Sequence, residues 1–157
     1  MSKAKEKQFR QYAALPYRVK DGELQVILVT TRETHRWIIP KGWPEPNLKG
    51  YEVAAQEAFE EAGVTGDVAK KSVGSFLYVK RIDAETRKLC KVTVFPLLVR
   101  EVLDDWPEKS QRQREWMTPA QAAMLVGEAE LIQLLLDLTD YGDVEEPGPQ
   151  RPLSLRL

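Results

Sequence analysis

Cysteine and histidine are almost absent from this chain of 157 residues, which holds one of each, Cys90 and His35. A single cysteine excludes an internal disulfide and a cysteine-based zinc site. A single histidine argues against a histidine-ligated metal site or a histidine-based catalytic triad. Any chemistry that this chain performs must therefore rest on carboxylates, lysines and arginines.

The sequence also lacks long apolar runs and a large excess of charge of either sign. No segment reaches the run of about 18 apolar residues that indicates a membrane span. The N-terminus, Met-Ser-Lys-Ala-Lys-Glu-Lys-Gln, has no apolar stretch like that of a signal peptide. The formal net charge is −1, which calls for no nucleic-acid or membrane partner. We expect a cytoplasmic protein, and its oligomeric state stays open, with a homodimer as one option.

One domain is predicted over residues 9–143, because the apolar residues are spread over one continuous stretch. Residues 1–8 are polar and are expected to be disordered, and the proline-rich residues 144–157 to be disordered or loosely docked. Strands are predicted at 9–19, 24–31, 37–39, 73–81 and 89–102, with a short extended piece at 115–117 and a hairpin turn at Asp21-Gly22. C-terminal helices are predicted at 120–126 and 129–138, and Thr118-Pro119 is a good start for the first of them. Pro16 is interpreted as the mark of an edge strand or a bulge, and 41–49 as a loop. This order predicts an α/β (α+β) fold, a mixed β-sheet with helices packed on it.

The segment from Gly42 to Val64 is the main candidate for a functional site. Its second half predicts a helix that begins near Gly50 and stops at Gly63, a residue that suits the left-handed position after a helix end. At about 100° per residue, the predicted apolar face consists of Tyr51, Ala54, Ala55, Ala58, Phe59 and Ala62. The rest of the helix is mostly acidic, so its polar face needs a separate explanation.

Glu57, Glu60 and Glu61 share one face of this helix at the spacing i, i+3, i+4. Like charges at these spacings repel by roughly a few tenths of a kcal/mol per pair, and the end of a helix favours cations over carboxylates. Two interpretations compete on this evidence. The three side chains are either a solvated acidic face or a site for a hard divalent cation such as Mg²⁺.

The residues on either side of these acids match a known signature. The Nudix hydrolase signature reads Gly, five residues, Glu, seven residues, Arg-Glu, an aliphatic residue, any residue, Glu-Glu, any residue, Gly and an aliphatic residue. The chain resembles it at Gly42, Glu57, Ala58, Glu60, Glu61, Gly63 and Val64. The strand and loop before the helix and the Trp116 segment after it are also similar to the family. Residues 36–40 and 102–106 resemble its diphosphoinositol-polyphosphate and diadenosine-polyphosphate branch.

This resemblance implies the Nudix fold, a mixed β-sheet sandwiched between α-helices. It also implies hydrolysis of a pyrophosphate bond in a small molecule, such as a nucleoside diphosphate linked to another group, with Mg²⁺ or Mn²⁺. Carried over by position, Glu57, Glu61 and the backbone carbonyl of Lys41 are metal ligands. Glu60 is a further ligand or the catalytic base that activates water. Gly42 and Gly63 are the structural glycines of the signature.

The chain departs from the signature twice. Leu48 stands where the first Glu is expected, and Gln56 stands where the Arg is expected. A glutamine can hydrogen-bond a carboxylate, but it carries no charge and cannot form a bidentate ion pair. A second hypothesis follows, in which the domain is catalytically weak and binds a nucleotide or a partner without turnover. A third keeps the acids as a solvated face in an unrelated α/β protein.

Basic residues are the candidates for binding an anionic substrate. Arg10, Arg32, Arg36 and Lys41 are predicted to contact substrate, although each is alternatively a solvated surface charge. Arg112 and Arg114 are weaker candidates. Further basic side chains surround the predicted hairpin, namely Lys80, Arg81, Arg87 and Lys88. Trp43 and Trp106 lie in predicted loops, where either ring could stack on a base.

Overall fold

The computed structural model describes residues 8–139 of the chain. The predictions for residues 1–7 and for the proline-rich residues 144–157 lie outside the described residues. None of the described helices is both long enough and apolar enough to cross a membrane.

Within residues 8–139, eight strands form one mixed sheet. They are β1 (Phe9–Lys20), β2 (Glu23–Thr30), β3 (Trp37–Ile38), β4 (Lys41–Gly42), β5 (Val64–Val68), β6 (Gly74–Arg81), β7 (Arg87–Val102) and β8 (Arg114–Met117). The order across the sheet is β3-β2-β1-β7-β5, while β4 pairs with β1, β6 with β7 and β8 with β2. The β1 and β7 strands run parallel, and the remaining pairs are antiparallel. The predicted mixed sheet is confirmed.

Three helices pack on this sheet. They are α1 (Gly50–Glu57), which continues into a π-helical turn (Ala58–Ala62), α2 (Pro119–Leu125) and α3 (Ala129–Thr139). The first contacts β1, β4, β5 and β7, while α2 contacts β2 and α3 contacts β6. The core between them is aliphatic and aromatic, with Tyr17, Phe76, Ile27 and Leu131 among its largest buried side chains. Cys90 is buried and free within this core.

Two strands were not predicted from the sequence. The β4 strand occupies only Lys41 and Gly42, which pair with Ala13 and Tyr12 of β1, and the sequence interpretation placed both in a loop. The β5 strand follows Gly63 directly and contains a bulge at Gly66, where a side chain would overlap the Leu98 carbonyl of β7. A strand of two residues, and one interrupted by glycine, leave little periodic signal.

Pro16 is buried in the centre of the sheet, so the prediction of an edge strand was wrong. The residue pairs with Leu97 of β7 on one side of β1. On the other side, β1 exchanges partners, since Tyr12 and Ala13 pair with β4 and the stretch from Tyr17 onward pairs with β2. Pro16 lies between these two pairings. A residue without an N–H is tolerated there because no antiparallel partner faces it.

Candidate functional site

A cleft of about 740 Å³ runs along the end of the acidic helix. Its lining contains five acidic residues, Glu33, Glu57, Glu60, Glu61 and Glu108. It also contains six basic residues, Arg32, Arg36, Lys41, Lys80, Arg81 and Arg112. A concave site that presents both signs of charge suits an anionic ligand bound through a cation, because the carboxylates can hold the cation and the basic side chains the anion. The structure thus brings the predicted acids and most of the predicted basic residues together.

The acidic helix changes its geometry where the acids begin. Its α-helical part ends at Glu57, the π-helical turn carries the next five residues, and Gly63 follows with a φ of 64°. The wider turn rotates the side chains that follow it. Phe59 is 38% exposed, so its placement on the apolar face was wrong, whereas Val53, which the prediction left out, is buried. π-helical turns occur frequently at functional sites.

Glu61 is buried and Glu57 is half-buried, and their carboxyls share a hydrogen bond. Burial, followed by the charge of Glu61, raises the pKa of Glu57 to about 9. Burial also raises the pKa of Glu61, against the opposing effects of Arg112 and Lys41. Without a cation, such a pair holds one proton between two carboxyls. A divalent cation would take the place of that proton.

Gly42 places Glu57 at the wall of the cleft. A Cβ at position 42 would overlap the Oε1 atom of Glu57, so the carboxylate lies directly against the glycine backbone. Pairing of β4 with Tyr12 and Ala13 of β1 fixes this backbone. Glu57 therefore lies next to the segment whose Lys41 carbonyl is a predicted ligand. This contact explains why the signature has a glycine at position 42. Any side chain there would occupy the space of the Glu57 carboxylate.

Glu60 is held apart from the other two acids. Its Oε1 accepts a hydrogen bond of 3.2 Å from Nε2 of Gln56, one turn earlier. Among the described residues, no three acidic, histidine or cysteine side chains converge into a preformed metal site. The donors that do meet are the hard carboxylate oxygens of Glu57 and Glu61, which is the type of ligand that Mg²⁺ and Mn²⁺ take. The residues present therefore fit a cation held by these two, with Glu60 free to act on water.

Residues 103–114, here called the capping loop, bind the exposed carbonyls at the end of the acidic helix. The donor and acceptor pairs are Glu108 N–H to Glu60 O, Trp106 Nε1 to Glu61 O, Arg114 Nη1 to Ala62 O and Leu103 N–H to Gly63 O. The bonds measure 3.0, 3.1, 2.9 and 2.8 Å in that order. A helix end without such partners would leave its last carbonyls unpaired. The capping loop thus fixes the position of the acids.

Trp106 belongs to this cap and does not line the cleft. Its ring packs against Gly63, where a Cβ would overlap it, and the guanidinium carbon of Arg114 lies 3.8 Å from the ring centroid. The structure therefore gives the stacking role considered for Trp106 from the sequence no support. Trp43 does line the cleft and is 39% exposed.

The guanidinium of Arg112 places a positive charge between Glu61 and Glu108, a role that the sequence interpretation missed. Its Nη2 lies 3.6 Å from Oε2 of Glu61, and its Nε lies 2.8 Å from Oε1 of Glu108. Its Nη1 donates to the carbonyl of Thr30 at 3.0 Å. The sequence offered one indirect signal, which is that residues 50–69 contain no lysine or arginine to offset the acids.

Lys41 projects into the base of the cleft. Its Nζ lies 3.8 Å from the centroid of the Tyr78 ring. Burial, followed by the charge of Lys80, lowers the pKa of Lys41 to about 8. Gln11 is buried beside these residues in the cleft wall, and its Oε1 has no hydrogen-bond partner in the described part of the chain. Hydrogen-bonding groups with few protein partners are suited to holding a bound molecule.

Arg32 and Arg36 lie at the rim of the cleft, where they were predicted. Nη1 of Arg32 lies 3.4 Å from Oε1 of Gln111, and Nη1 of Arg36 lies 3.5 Å from Oε2 of Glu128. Both contacts are long and exposed, so either side chain is free to exchange its partner for a ligand. Arg10 is exposed on β1 and is not among the residues of the cleft wall. The structure therefore gives its predicted substrate contact no support.

Comparison with solved structures shows proteins with the same fold. A Caenorhabditis elegans Ap4A hydrolase binary complex matches with a TM-score of 0.63 and 19% identity, over 85% of this chain and 96% of that one. The NUDIX domain of Shewanella oneidensis NrtR, complexed with ADP ribose, matches with a TM-score of 0.63 and 16% identity, over 85% and 88%. These likenesses show a shared fold.

Sequence comparison identifies the family. Nudix hydrolase 12, mitochondrial, of Arabidopsis thaliana is 35% identical over 106 residues, 66% of this chain and 52% of that protein. Diphosphoinositol polyphosphate phosphohydrolase 3-beta of Bos taurus is 33% identical over 111 residues, 69% of this chain and 63% of that protein. The chain thus spans about half to two thirds of the length of these relatives. The model of the NUDIX domain matches residues 9–137. This chain belongs to the Nudix family and has the Nudix fold.

Proposed function

We propose that this protein hydrolyses a phosphoanhydride bond in a small anionic substrate, with Mg²⁺ or Mn²⁺ as cofactor. The candidate substrates are nucleoside-diphosphate-linked compounds, dinucleoside polyphosphates and diphosphoinositol polyphosphates. One observation carries the proposal, namely that the hydrogen-bonded Glu57 and Glu61 carboxyls lie in a cleft that is also lined by basic side chains. The names of the bovine and nematode relatives support this range of substrates.

The basic and the acidic residues of the cleft have distinct parts in this reaction. Arg32, Arg36 and Lys80 offset the negative charge of the phosphates and orient them toward Glu57 and Glu61. Glu57 and Glu61 would hold the cation, which when bound would withdraw charge from the phosphate oxygens. Glu60 accepts a proton from a water molecule whose oxygen attacks phosphorus. The bond from that phosphorus to the bridging oxygen breaks, and the leaving phosphate carries away the electron pair.

A substrate panel tests this proposal. Dinucleoside polyphosphates, ADP-ribose, nucleoside triphosphates and diphosphoinositol polyphosphates are each incubated with Mg²⁺ or Mn²⁺, and the products are resolved by phosphorus NMR. Wild type should hydrolyse at least one class, and Glu60→Gln should be at least ~10²-fold slower if it removes the base. Glu115→Gln is the matched control, because Glu115 is exposed on β8 outside the cleft wall.

The second candidate is a module that binds without turnover. Gln56 motivates it, since it binds Glu60 by a neutral hydrogen bond where the signature has an arginine. Leu48 is weaker evidence for this candidate, because it is half-buried and is not among the residues of the cleft wall. Calorimetric binding of a panel member by wild type, with no product from any class, would favour this candidate over hydrolysis.

A further inference from the structure

The acidic helix has no cation of its own to balance its carboxylates. Residues 50–69 contain no lysine or arginine. Gln56 occupies the signature position for arginine, and its side-chain amide donates a hydrogen bond to Glu60 instead of to Glu57 or Glu61. Glu61 is 5% exposed, so water offers little compensation for its charge. A buried carboxylate in this setting needs a positive partner from another part of the chain.

Arg112 is placed to be that partner. Its side chain is 10% exposed, and the guanidinium lies between Glu61 and Glu108, at 3.6 and 2.8 Å. The Thr30 carbonyl at the end of β2 accepts a hydrogen bond of 3.0 Å from the same group. Because Glu108 and the Thr30 carbonyl both accept hydrogen bonds from it, the guanidinium has one defined orientation, and its contact with Glu61 is an ion pair. The edge of this group that faces Glu61 therefore restricts where that carboxylate lies.

The capping loop fixes Arg112 relative to the helix. Glu108, which binds the Nε of Arg112, also donates its N–H to the Glu60 carbonyl at 3.0 Å. The backbone of the acidic turn, the loop and the guanidinium are thus parts of one connected network. A network that orients a metal ligand in this way commonly changes metal affinity when one member is removed.

We infer that Arg112 is the positioning residue of this site, and that it supplies from the capping loop the positive charge missing at Gln56. It holds the Glu61 carboxylate in one orientation, so that Glu57 and Glu61 bind a divalent cation. This role rests on the proposed function, because it requires that the two carboxylates bind Mg²⁺ or Mn²⁺. Lysine is a poor substitute, since one ammonium cannot reach Glu61, Glu108 and the Thr30 carbonyl in the same fixed geometry.

A positive charge beside a metal ligand also repels the metal. The direction in which cation affinity changes when Arg112 is removed therefore tests the inference. If orientation dominates, removal of Arg112 weakens cation binding. If repulsion dominates, removal strengthens it. The structure favours orientation, because the charge of Arg112 is already shared with Glu108, a second carboxylate at 2.8 Å.

The experiment is a calorimetric titration of the full chain with MnCl₂, without substrate, on wild type, Arg112→Gln, Arg112→Lys and Arg100→Gln. Arg112→Gln should raise the Kd for Mn²⁺ about 10–100-fold, and Arg112→Lys should recover part of that loss. Arg100 is the control because it forms an exposed ion pair with Asp67, at 2.8 Å, and is not among the residues that line the cleft. On the proposed substrates, Arg112→Gln should lower kcat more than it raises KM.

Five results would count against the inference. An unchanged or lower Kd for Mn²⁺ in Arg112→Gln rules out positioning, as does a rise in KM alone, which would make Arg112 a substrate contact. An equal fall in thermal stability in Arg112→Gln and Arg100→Gln, with Mn²⁺ affinity intact, would show a structural role only. A wild type that binds no Mn²⁺ removes the proposed function itself. If Arg112→Gln does not fold, the test is the Arg112→Lys variant. Wild-type Mn²⁺ affinity and kcat in that variant would show that the guanidinium geometry of Arg112 is not needed to position Glu61.

Discussion

Gly42 and Glu57 show how a single contact places a functional side chain. A side chain at position 42 would overlap Oε1 of Glu57, so the glycine is needed for space. Its neighbour Lys41 is held in β4 by pairing with Ala13 of β1. The position of the Glu57 carboxylate is therefore set by the sheet as well as by the helix.

Gly42→Ala should damage the site more than the fold. The added methyl group displaces the Glu57 carboxylate, and overpacking of this kind costs about 1–3 kcal/mol in free energy of unfolding. We expect weaker Mn²⁺ binding by calorimetry, together with a modest fall in Tm. Gly127→Ala is the control, because its nearest neighbour, Nη1 of Arg36, lies at 3.6 Å, an ordinary contact distance. Equal Mn²⁺ affinity in both variants would refute this account of Gly42.

Glu57→Gln should stabilise the metal-free protein. The substitution removes a carboxyl whose burial and whose repulsion with Glu61 disfavour its charged form, while the shape of the side chain is retained. We expect a higher Tm than wild type in EDTA. In saturating Mn²⁺, wild type should gain about 2.7 kcal/mol at a concentration of 100 times Kd, and the variant should gain much less. Thermal unfolding in the two buffers measures both effects, and equal gains from Mn²⁺ would exclude Glu57 as a ligand.

At the scale of elements, the end of the acidic helix depends on residues far away in the chain. Three acids in the last turn oppose the helix dipole, yet the turn is ordered because the capping loop binds its carbonyls. Gly63 completes this arrangement with a φ of 64°, against which Trp106 and Arg114 pack.

Gly63→Ala should therefore destabilise the protein strongly. The left-handed backbone costs a non-glycine residue about 1–2 kcal/mol, and the methyl group would overlap the Trp106 ring and the Arg114 guanidinium. Together we expect a loss of about 2–4 kcal/mol in free energy of unfolding, measured by urea denaturation. A loss below that of Gly127→Ala would show that the cap does not constrain this position.

The start of α2 offers a prediction that is independent of the site. Oγ1 of Thr118 accepts a hydrogen bond from the Gln121 N–H at 3.2 Å, and the Gln121 side chain accepts one from the Thr118 N–H at 2.9 Å. Thr118→Ala should cost about 1 kcal/mol and lower Tm by about 2–4 °C, with turnover unchanged. Thr118→Ser, which keeps the acceptor, should restore most of the loss, and a failure to restore it would rule out the cap as the cause.

Local signals predicted most of the elements, and their failures have local causes. The Asp21-Gly22 turn joins β1 and β2 with positive φ at both residues, as such a pair favours. The Thr118 cap was also evident from residue types alone. Phe59 was misplaced because a regular helical period cannot anticipate a π-helical turn. Pro16 was misplaced because the exchange of partners along β1 depends on other parts of the chain.

At the scale of the whole molecule, some residues of the cleft could be predicted from the sequence and others could not. The acids Glu57, Glu60 and Glu61 could be identified because they lie within one helix at recognisable spacing. Arg112 could not be assigned, because its contact with Glu61 joins segments that are distant in sequence. Arg10 illustrates the converse, since a basic residue predicted by position alone lies outside the cleft wall.

The central claim is that this cleft hydrolyses phosphoanhydrides through a cation held by Glu57 and Glu61. Its most direct test is the rate of product formation from the panel substrate that turns over fastest, followed by phosphorus NMR through EDTA treatment and re-addition of Mg²⁺ or Mn²⁺. The account predicts that turnover stops on chelation and returns with the cation in wild type, but stays absent in Glu57→Gln/Glu61→Gln. Turnover that persists in EDTA, or that is unchanged in the double variant, would contradict it.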